Sequence, residues 1–596
     1  MDNKPKIDPF LMVILSRNIE TIIKEMTNAL LKSGRSGVLN TARDFSCSLT
    51  DNHFQVISAE NSAPIHVTSI DLIPKAVAEE FGEDMAPGDC FVNNSAYHGN
   101  THCADFTLCA PVFYEGEFVF FCISRAHFAD MGFPIPGTYH PAAKDIYEEG
   151  LQLPCIRIQR DYKDVKDVIK TCKANIRVPE QFYGDYLAAL AAVRTGEKRL
   201  IELCDKYGID NIKSFMIEWQ NYAERITIEA IRKLPKGTWK KEASYDSELD
   251  TLPDRIPIRV ELTIDPVEGY ITVDVTDNID NVPLGINLSE ATTLAGIRNG
   301  IFYCLDPNIP HCSGSFRRVK INMREGAIVG KPRFPAATCT ATTNVGHLLP
   351  NLIQSMFADV GDGLGIAQGN SGIPPAMGIV SGRDYRRDGK PFVNQIFIGY
   401  FGGPALQGHD GWLTYGSPGG PGFNLQGSVE IIELQQPLLI EKCMLGCDSG
   451  GAGEYEGAPG SDIVYHSRRD TLRWTYNSCG RKFPPEGVRG GMSGRPCQAW
   501  KIDDKGSWIE LPITADLLLR PGEKLVSKSC GGGGYGDPLD REPNKVRWRA
   551  REGWISIDKA KDTYGVILDT SVEEYRVDQK ATKMLRDNLR KKGAEI

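Results

Sequence analysis

Hydrophobic residues recur along the start of the chain at the spacing of an amphipathic helix. They are Leu11, Leu15, Ile19, Ile22, Ile23, Met26, Leu30 and Leu31. Positions three and four apart share one face of a helix, so this spacing predicts an α-helix over Pro9 to Lys32. Gly34 and Gly37 follow it as the residues that end a helix.

Later segments alternate between the helical period and the period of two that marks a strand. Helical spacing predicts further helices over Pro179 to Tyr207, Asn211 to Leu234, Ser289 to Leu305, Leu348 to Val360 and Ser571 to Lys592. Clean alternation predicts strands over 258–264 and 270–275, and 430–526 is mostly strand-like. Glycine and proline are dense between 306 and 429. The pattern predicts an α+β chain with mixed and antiparallel sheets, helical segments and long Gly/Pro-rich loops.

The 596 residues exceed what one hydrophobic core usually serves. Pro235-Lys236-Gly237 follows the second long helix and marks a first boundary. We expect an N-terminal α/β region over 1–237 and a strand-rich, then loop-rich region over 238–430. A mostly β region over 431–538 and a helical tail over 539–596, solvated at the surface, complete the division.

Two copies of His-x-x-Asp flank a predicted β-hairpin in the first region. His102 and Asp105 precede the apolar run 108–113, and His127 and Asp130 follow the run 118–123. Tyr114-Glu115-Gly116-Glu117 lies between the runs as a turn. A hairpin would bring the two copies together, and we expect the metal site in this region.

Imidazole and carboxylate groups form a mixed nitrogen and oxygen set that suits manganese, iron or zinc. The alternative is a local hydrogen bond in each copy, with the carboxylate fixing the imidazole tautomer. Four of the ten histidines, His98, His102, His127 and His140, lie in or just after this stretch. That concentration favours the metal site.

Asp44 and His66 are further candidates on neighbouring segments. Asp44 follows Arg43 at the start of a strand, where it would act as a carboxylate of the site, cap a turn, or pair with Arg43. His66 would be a ligand or a packed strand residue. Local sequence leaves these alternatives open.

Composition excludes several classes of partner. The formal net charge of −9 argues against nucleic acid or an anionic membrane as the main partner. The chain has no apolar run of membrane-spanning length, and its start lacks the layout of a signal peptide, so we expect a cytoplasmic protein. The run Gly531–Gly534 lacks the Gly-Lys-Ser/Thr ending of a phosphate loop, and we expect a flexible turn or an interface there. If ATP is used, another chain would bind it.

Several segments resemble the hydantoinase B family, which includes the B-type halves of hydantoinases, 5-oxoprolinases and caprolactamase, and subunits of the acetone and acetophenone carboxylases. The matching segments are Arg43-Asp-Phe-Ser-Cys47, Thr101-His-Cys-Ala-Asp105, Arg125-Ala-His-Phe-Ala-Asp130, Tyr147-Glu-Glu-Gly150, Asp448-Ser-Gly-Gly451 and Gly531-Gly-Gly-Gly-Tyr-Gly-Asp-Pro538. They follow the family order over nearly the whole chain.

The resemblance implies a hetero-oligomer. A separate hydantoinase A-type subunit would bind ATP and magnesium and phosphorylate a substrate oxygen, and further small subunits would join in some systems. Carried over residue by residue, the resemblance implies His102, Asp105, His127 and Asp130 as metal ligands. It implies Asp44 as a nearby catalytic carboxylate that acts as a base or positions water.

The second His-x-x-Asp departs from the family hydrolases, which tend to have His-His-Ala-Asp where this chain has His127-Phe128-Ala129-Asp130. Phe128 would suit an apolar or aromatic substrate, so the sequence favours a ketone carboxylase subunit that uses bicarbonate, as for acetophenone. The alternatives are an ATP-dependent amidohydrolase that opens a hydantoin, 5-oxoproline or lactam ring, and a non-catalytic scaffold subunit.

Overall fold

The first region is built on a seven-stranded antiparallel sheet. The computed structural model of the chain describes residues 7–59, 63–248, 255–399, 401–413 and 426–593. The strands, in chain order, are β1 (Phe45–Asp51), β2 (Val56–Ala59), β3 (Cys90–Asn93), β4 (Asp105–Tyr114), β5 (Glu117–His127), β6 (Ile156–Arg160) and β7 (Lys163–Asp164). They lie in the order β2-β1-β5-β4-β3-β6-β7. The predicted hairpin is therefore confirmed as β4 and β5, at the centre of the sheet.

Helices cover this sheet and close the main core. They are α1 (Pro9–Ser33), α2 (Pro64–Val67), α3 (Leu72–Phe81), α4 (Lys166–Asn175), α5 (Pro179–Tyr207) and α6 (Ile209–Ile231). The Asp8 carboxylate accepts hydrogen bonds from the first amides of α1, which fixes where that helix begins. Gly196 lets α5 approach both α1 and β5, because a Cβ there would lie 2.6 Å from Met26 Sδ and 2.8 Å from Cys122 Sγ.

The second region contains three helices and a four-stranded mixed sheet. Its elements are β8 (Gly237–Asp246), β9 (Arg255–Asp265), β10 (Tyr270–Asp274), α7 (Glu290–Phe302), α8 (Ser313–Phe316), β11 (Val319–Asn322) and α9 (Asn344–Val360). The alternation predicted for β9 is seen in its burial, since every second residue from Ile256 to Ile264 is buried. Helix α9 is buried along almost its whole length, and the segment that leads into it reaches the first region.

Two antiparallel sheets follow. Their elements are β12 (Gly372–Ile373), β13 (Ile379–Asp384), β14 (Lys390–Gln395), α10 (Val429–Gln435), β15 (Leu438–Leu445), β16 (Ser461–Ser467), β17 (Leu472–Ser478), β18 (Gln498–Ile502), β19 (Trp508–Glu510), β20 (Thr514–Leu519) and β21 (Lys524–Lys528). Strand β17 pairs with β12, β13 and β20. One sheet therefore joins strands from both sides of the boundary expected at residue 430.

The glycine run Gly531–Gly534 is buried, which corrects the expectation of a flexible turn. A Cβ on Gly531 would lie 1.7 Å from the carbonyl oxygen of Ser449, and one on Gly532 would lie 1.9 Å from that of Gly403. Backbone therefore packs directly on backbone here, and no other residue type fits. Sequence reasoning missed this because a glycine run looks the same whether its neighbours are solvent or other chain segments.

The C-terminal segment is anchored by buried charges, which corrects the expectation of a solvated tail. Its elements are α11 (Pro543–Arg551), α12 (Ile557–Asp562), β22 (Leu568–Asp569), β23 (Arg576–Val577) and α13 (Gln579–Gly593). The fully buried guanidinium of Arg541 donates to both carboxylate oxygens of Asp410, at 2.7 and 2.8 Å. The last helix begins at Gln579 rather than at Ser571, because a short hairpin occupies the preceding residues.

The α+β class predicted from the sequence is confirmed. Among the described residues, no helix combines the length and the apolar character needed to cross a bilayer. The cytoplasmic location stays a prediction.

Candidate metal centre

The centre lies at the end of the β4–β5 hairpin where the two His-x-x-Asp copies meet. Asp105 is the first residue of β4 and His127 is the last residue of β5, and the two are direct cross-strand partners. His127 Nδ1 lies 3.4 Å from Asp105 Oδ1, and His102 Nε2 lies 3.1 Å from the same oxygen. The hairpin thus aims both imidazoles at one carboxylate oxygen.

His102, Asp105 and His127 have the composition and spacing of a divalent metal site. One ligand atom from each residue lies within 4.8 Å of the others, and all three side chains are buried. His102 Nδ1 lies 2.8 Å from the carbonyl oxygen of Cys339, which can only accept, so Nδ1 donates there and Nε2 is the nitrogen that faces Asp105. His127 Nε2 lies 3.1 Å from Thr138 Oγ1. These residues fit a bound transition metal.

Asp105 is surrounded by donors and imidazoles that stabilise its charge. The Thr101 hydroxyl donates to Asp105 Oδ2, and His66 Nε2 lies 3.2 Å from that oxygen. Burial favours the neutral acid, but His102 and His66 outweigh it and hold the pKa of Asp105 well below its ordinary value. Burial likewise opposes charge on His102, and Asp105 raises the pKa of His102 above its ordinary value. Asp105 is therefore an ionised, buried carboxylate that is ready to bind a cation.

Asp44 enters the site from a distorted helical turn. Residues Val38–Ala42 form one turn of π-helix, which Arg43 ends in the left-handed conformation at φ 61°. The Asp44 carbonyl oxygen then accepts from the His127 amide at 3.0 Å, and Asp44 Oδ1 lies 3.9 Å from His66 Nε2. Such turns and non-glycine left-handed residues cluster at functional sites. The sequence left open a site carboxylate, a turn cap or a pair with Arg43. The structure places Asp44 beside the site, as the first alternative requires.

His66 also lies inside the site, on the short helix α2 rather than on a strand. Its Nε2 lies between the carboxylates of Asp44 and Asp105, and its Nδ1 is buried without a hydrogen-bond partner among the described residues. His66 thus lies between Asp44, the candidate base, and Asp105, the candidate metal ligand.

Asp130 is not brought into this group. Its Oδ2 accepts from the Arg177 amide at 2.7 Å, and its Oδ1 accepts from the Arg177 guanidinium at 3.0 Å and from the Gly137 amide at 3.3 Å. The chain leaves β5 at His127, so three further residues carry Asp130 towards the segment before α5. Its carboxylate is engaged in an ion pair that ties two loops together.

Phe128 lies in the main core, which corrects its expected role as a substrate contact. Its ring stacks on Phe106 at 4.6 Å between centroids and meets Phe182 edge-on at 5.4 Å. Adjacent residues at the end of a strand point to opposite faces of the sheet, so His127 faces the site and Phe128 faces away from it. The substitution at this position therefore says nothing about the substrate.

Sequence reasoning missed the segment Thr338–Thr343, which packs on the site from the second region. It supplies the Cys339 carbonyl to His102 Nδ1, and Thr342 Oγ1 lies 3.4 Å from His102 Nε2. The buried Glu149 carboxylate holds the segment by accepting from the amide and hydroxyl of Thr338. Burial raises the pKa of Glu149 to about 7. The only sequence signal was the family-like Tyr147–Gly150 segment, which pointed to the family rather than to this contact.

Comparison with known proteins assigns the family. The hydantoinase B/oxoprolinase family model matches residues 8–538. This chain belongs to that family. It is 29% identical to the beta subunit of caprolactamase from Pseudomonas jessenii, over 94% of this chain and 97% of that one. The crystal structure of the ATP-dependent caprolactamase from the same organism superposes with a TM-score of 0.89 at 28% identity, covering 98% of this chain and 100% of that one.

Other members of the family carry the names of different enzymes. The chain is 28% identical to the B subunit of a putative D-/L-hydantoinase from a Pseudomonas species, over 98% of both chains. It is 25% identical to the acetophenone carboxylase delta subunit of Aromatoleum aromaticum, over 100% of this chain and 91% of that one. The expected family is thus confirmed, and its members include proteins named as a caprolactamase, a putative hydantoinase and an acetophenone carboxylase.

Proposed function

We propose that this chain is the metal-binding B-type subunit of an ATP-dependent enzyme that opens a cyclic amide such as a lactam, a hydantoin or 5-oxoproline. The buried group of His102, Asp105 and His127 carries the proposal, together with the similarity to the caprolactamase and hydantoinase subunits. The caprolactamase, hydantoinase and acetophenone carboxylase relatives are each named as a subunit, which supports a partner. That partner is a hydantoinase A-type subunit, which binds ATP and magnesium and phosphorylates the substrate.

His102, Asp105 and His127 would hold manganese, zinc or iron through two imidazoles and one carboxylate. Such a cation, when bound, polarises a carbonyl and lowers the pKa of water. Asp44 lies beside His66 at the edge of this group and accepts a proton as the base. The buried surroundings exclude bulk water, which strengthens these electrostatic contacts.

Ring opening is preferred over ketone carboxylation because Phe128 lies in the core. The main sequence argument for an aromatic ketone depended on that side chain. A ketone carboxylase remains the second candidate, supported by similarity to the acetophenone carboxylase subunit along the whole chain.

The test is an assay of the chain assembled with its A-type partner. Caprolactam, hydantoin and 5-oxoproline are each supplied with ATP, and acetone and acetophenone are supplied with ATP and bicarbonate. An ATP-dependent ring-opened amino acid supports the proposal. A carboxylated ketone formed from labelled bicarbonate, with no ring opening, would overturn it in favour of the second candidate.

Variants of the same assembly separate catalysis from a scaffold role. Asp44→Asn should lower turnover by about 10²- to 10⁴-fold, the usual contribution of a general base. Asp205→Asn is the matched control, because that carboxylate is exposed and contacts Tyr114 on the far side of the hairpin. Full turnover of Asp44→Asn, and of Asp105→Asn, in an intact complex would identify the chain as a scaffold.

A further inference from the structure

The first turn of α9 is an uncapped, buried helix start. The preceding Thr343 accepts no capping hydrogen bond from the helix amides, and its hydroxyl donates to the Thr340 carbonyl or to Asn344 Oδ1. Within the described residues, the amides of Asn344, Val345 and Gly346 have no acceptor. Three buried donors without partners are costly, and they point in one direction at the positive end of a 17-residue helix.

His347 adds a second, independent observation. Only 7% of the residue is exposed, yet neither Nδ1 nor Nε2 has a hydrogen-bond partner among the described residues. Helical side chains lean towards the N-terminus of their helix, so the ring lies over the first turn. Burial holds the pKa of His347 down to about 3, so the free ring is neutral, with one donor and one acceptor nitrogen.

A third unsatisfied donor group lies on a segment that Asn351 joins to this turn. Asn351 donates to the carbonyl of His347 at 3.0 Å and to that of Gly369 at 3.3 Å, which joins the turn to the segment around Asn370. Asn370 is 2% exposed, and its Nδ2 has no partner among the described residues. Buried polar groups are nearly always paired, so a group of unpaired donors indicates a missing ligand.

The turn lies next to the metal centre. Thr342, two residues before the helix begins, has its Oγ1 3.4 Å from His102 Nε2. A Cβ on Gly346 would lie 2.1 Å from the Ala341 carbonyl oxygen, so the helix start is packed tightly against the same segment. A ligand on these amides would therefore lie next to the segment that contacts His102.

We propose that the first turn of α9, with His347 and Asn370, binds the phosphoryl oxyanion of the activated substrate beside the metal. Backbone amides at a helix start bind tetrahedral oxyanions, which offer several acceptor oxygens at once. The inference rests on the proposed function, because the phosphoryl group comes from the ATP used by the partner. Inorganic phosphate, released after ring opening, shares this chemistry and would bind at the same place.

The test measures binding of inorganic phosphate by calorimetry to the metal-loaded chain in complex with its partner, without nucleotide. His347→Ala should weaken binding about tenfold or more, as expected for a lost hydrogen bond to an anion, and should leave the metal content unchanged. His347→Asn keeps a donor and should recover part of the affinity. His466→Ala is the control, since His466 lies on β16, partly exposed, 3.9 Å from Glu441.

Phosphate binding decides the inference, and turnover decides only the proposed substrate. Phosphate binding that needs the metal but is unchanged in His347→Ala and Asn370→Ala would overturn it, because the metal alone would then hold the anion. Loss of bicarbonate binding in His347→Ala, with phosphate binding intact, would also overturn it. Weaker phosphate binding in a complex that opens no cyclic amide would support the subsite and refute the proposed substrate. If His347→Ala fails to fold, His347→Asn and Asn370→Ala decide.

Discussion

Asp105 and His127 lie directly opposite each other at the open end of one β-hairpin, with His127 Nδ1 3.4 Å from Asp105 Oδ1. Register alone sets this distance, because cross-strand partners have their Cβ atoms only about 5 Å apart. The eleven residues of β5 and ten of β4 thus carry two distant sequence positions to one point.

Metal content should depend on His102, Asp105 and His127 and not on Asp130. We expect near-stoichiometric transition metal in the purified wild type and its loss in the double variant His102→Ala, His127→Ala, since two of three ligands are removed. Asp105→Asn should also lose most of the metal. Elemental analysis of protein prepared without chelator measures this.

Asp130→Asn is the matched control for Asp105→Asn. It should keep the metal, because the Asp130 carboxylate is bonded to Arg177 and Gly137. It should instead lower the thermal midpoint, since hydrogen bonds to a charged group stabilise by about 1.5–3 kcal/mol. Equal loss of metal in both variants would return Asp130 to the ligand set.

Phe128→His should not create a further ligand. The introduced imidazole would lie between Phe106 and Phe182 without a partner, so we expect about 2–4 kcal/mol of destabilisation and an unchanged metal content. The thermal midpoint and elemental analysis check both parts. A gain of metal or a changed substrate preference without loss of stability would show that the side chain reaches the site.

Glu149 should make the stability of the site region depend on pH. Burial raises its pKa from 4.5 to about 7 in the folded chain, so the folded state holds a proton that the unfolded state has released. The contribution of Glu149 to the free energy of unfolding is therefore full below about pH 4.5. It falls by roughly 3 kcal/mol as the pH rises to about 7.

Glu149→Gln tests this, because the amide keeps an oxygen for the Thr338 amide and cannot titrate. We expect the thermal midpoint of the variant, relative to the wild type, to increase between pH 5 and pH 7. A constant difference across that range would contradict the prediction. Glu148→Gln is the control, since Glu148 is the partly exposed neighbour in the same turn.

Arg541 should hold the C-terminal segment in place. Arg541→Ala removes the fully buried guanidinium that binds both oxygens of Asp410 and leaves Arg549, 3.1 Å from Asp410 and 3.3 Å from Glu456, as the remaining partner of the two carboxylates. Because hydrogen bonds to a charged group are lost, we expect a cost of about 1.5–3 kcal/mol. Limited proteolysis should then cleave within 539–593 well before the rest of the chain. Arg590→Ala, which removes an exposed pair with Asp540, should cost less than about 1 kcal/mol and leave cleavage unchanged.

The sequence by itself determined the features that depend on neighbouring residues. The sequence predicted α5 with the bounds that the structure has and α1 to within one residue. Residues three and four positions apart share one face of a helix, so local spacing alone indicates the helix. The turn at Glu115-Gly116 predicted the β4–β5 hairpin, and the hairpin brought His102, Asp105 and His127 together.

Only the tertiary structure decided which side chains face the site and what reaches it from far along the chain. Phe128 and Asp130 follow His127 by one and three residues, yet the pleat turns Phe128 into the core and the loop carries Asp130 to Arg177. The Cys339 carbonyl lies 237 positions from His102 and has no sequence signature, because every residue has a carbonyl. Such contacts depend on long-range packing, which local patterns do not encode.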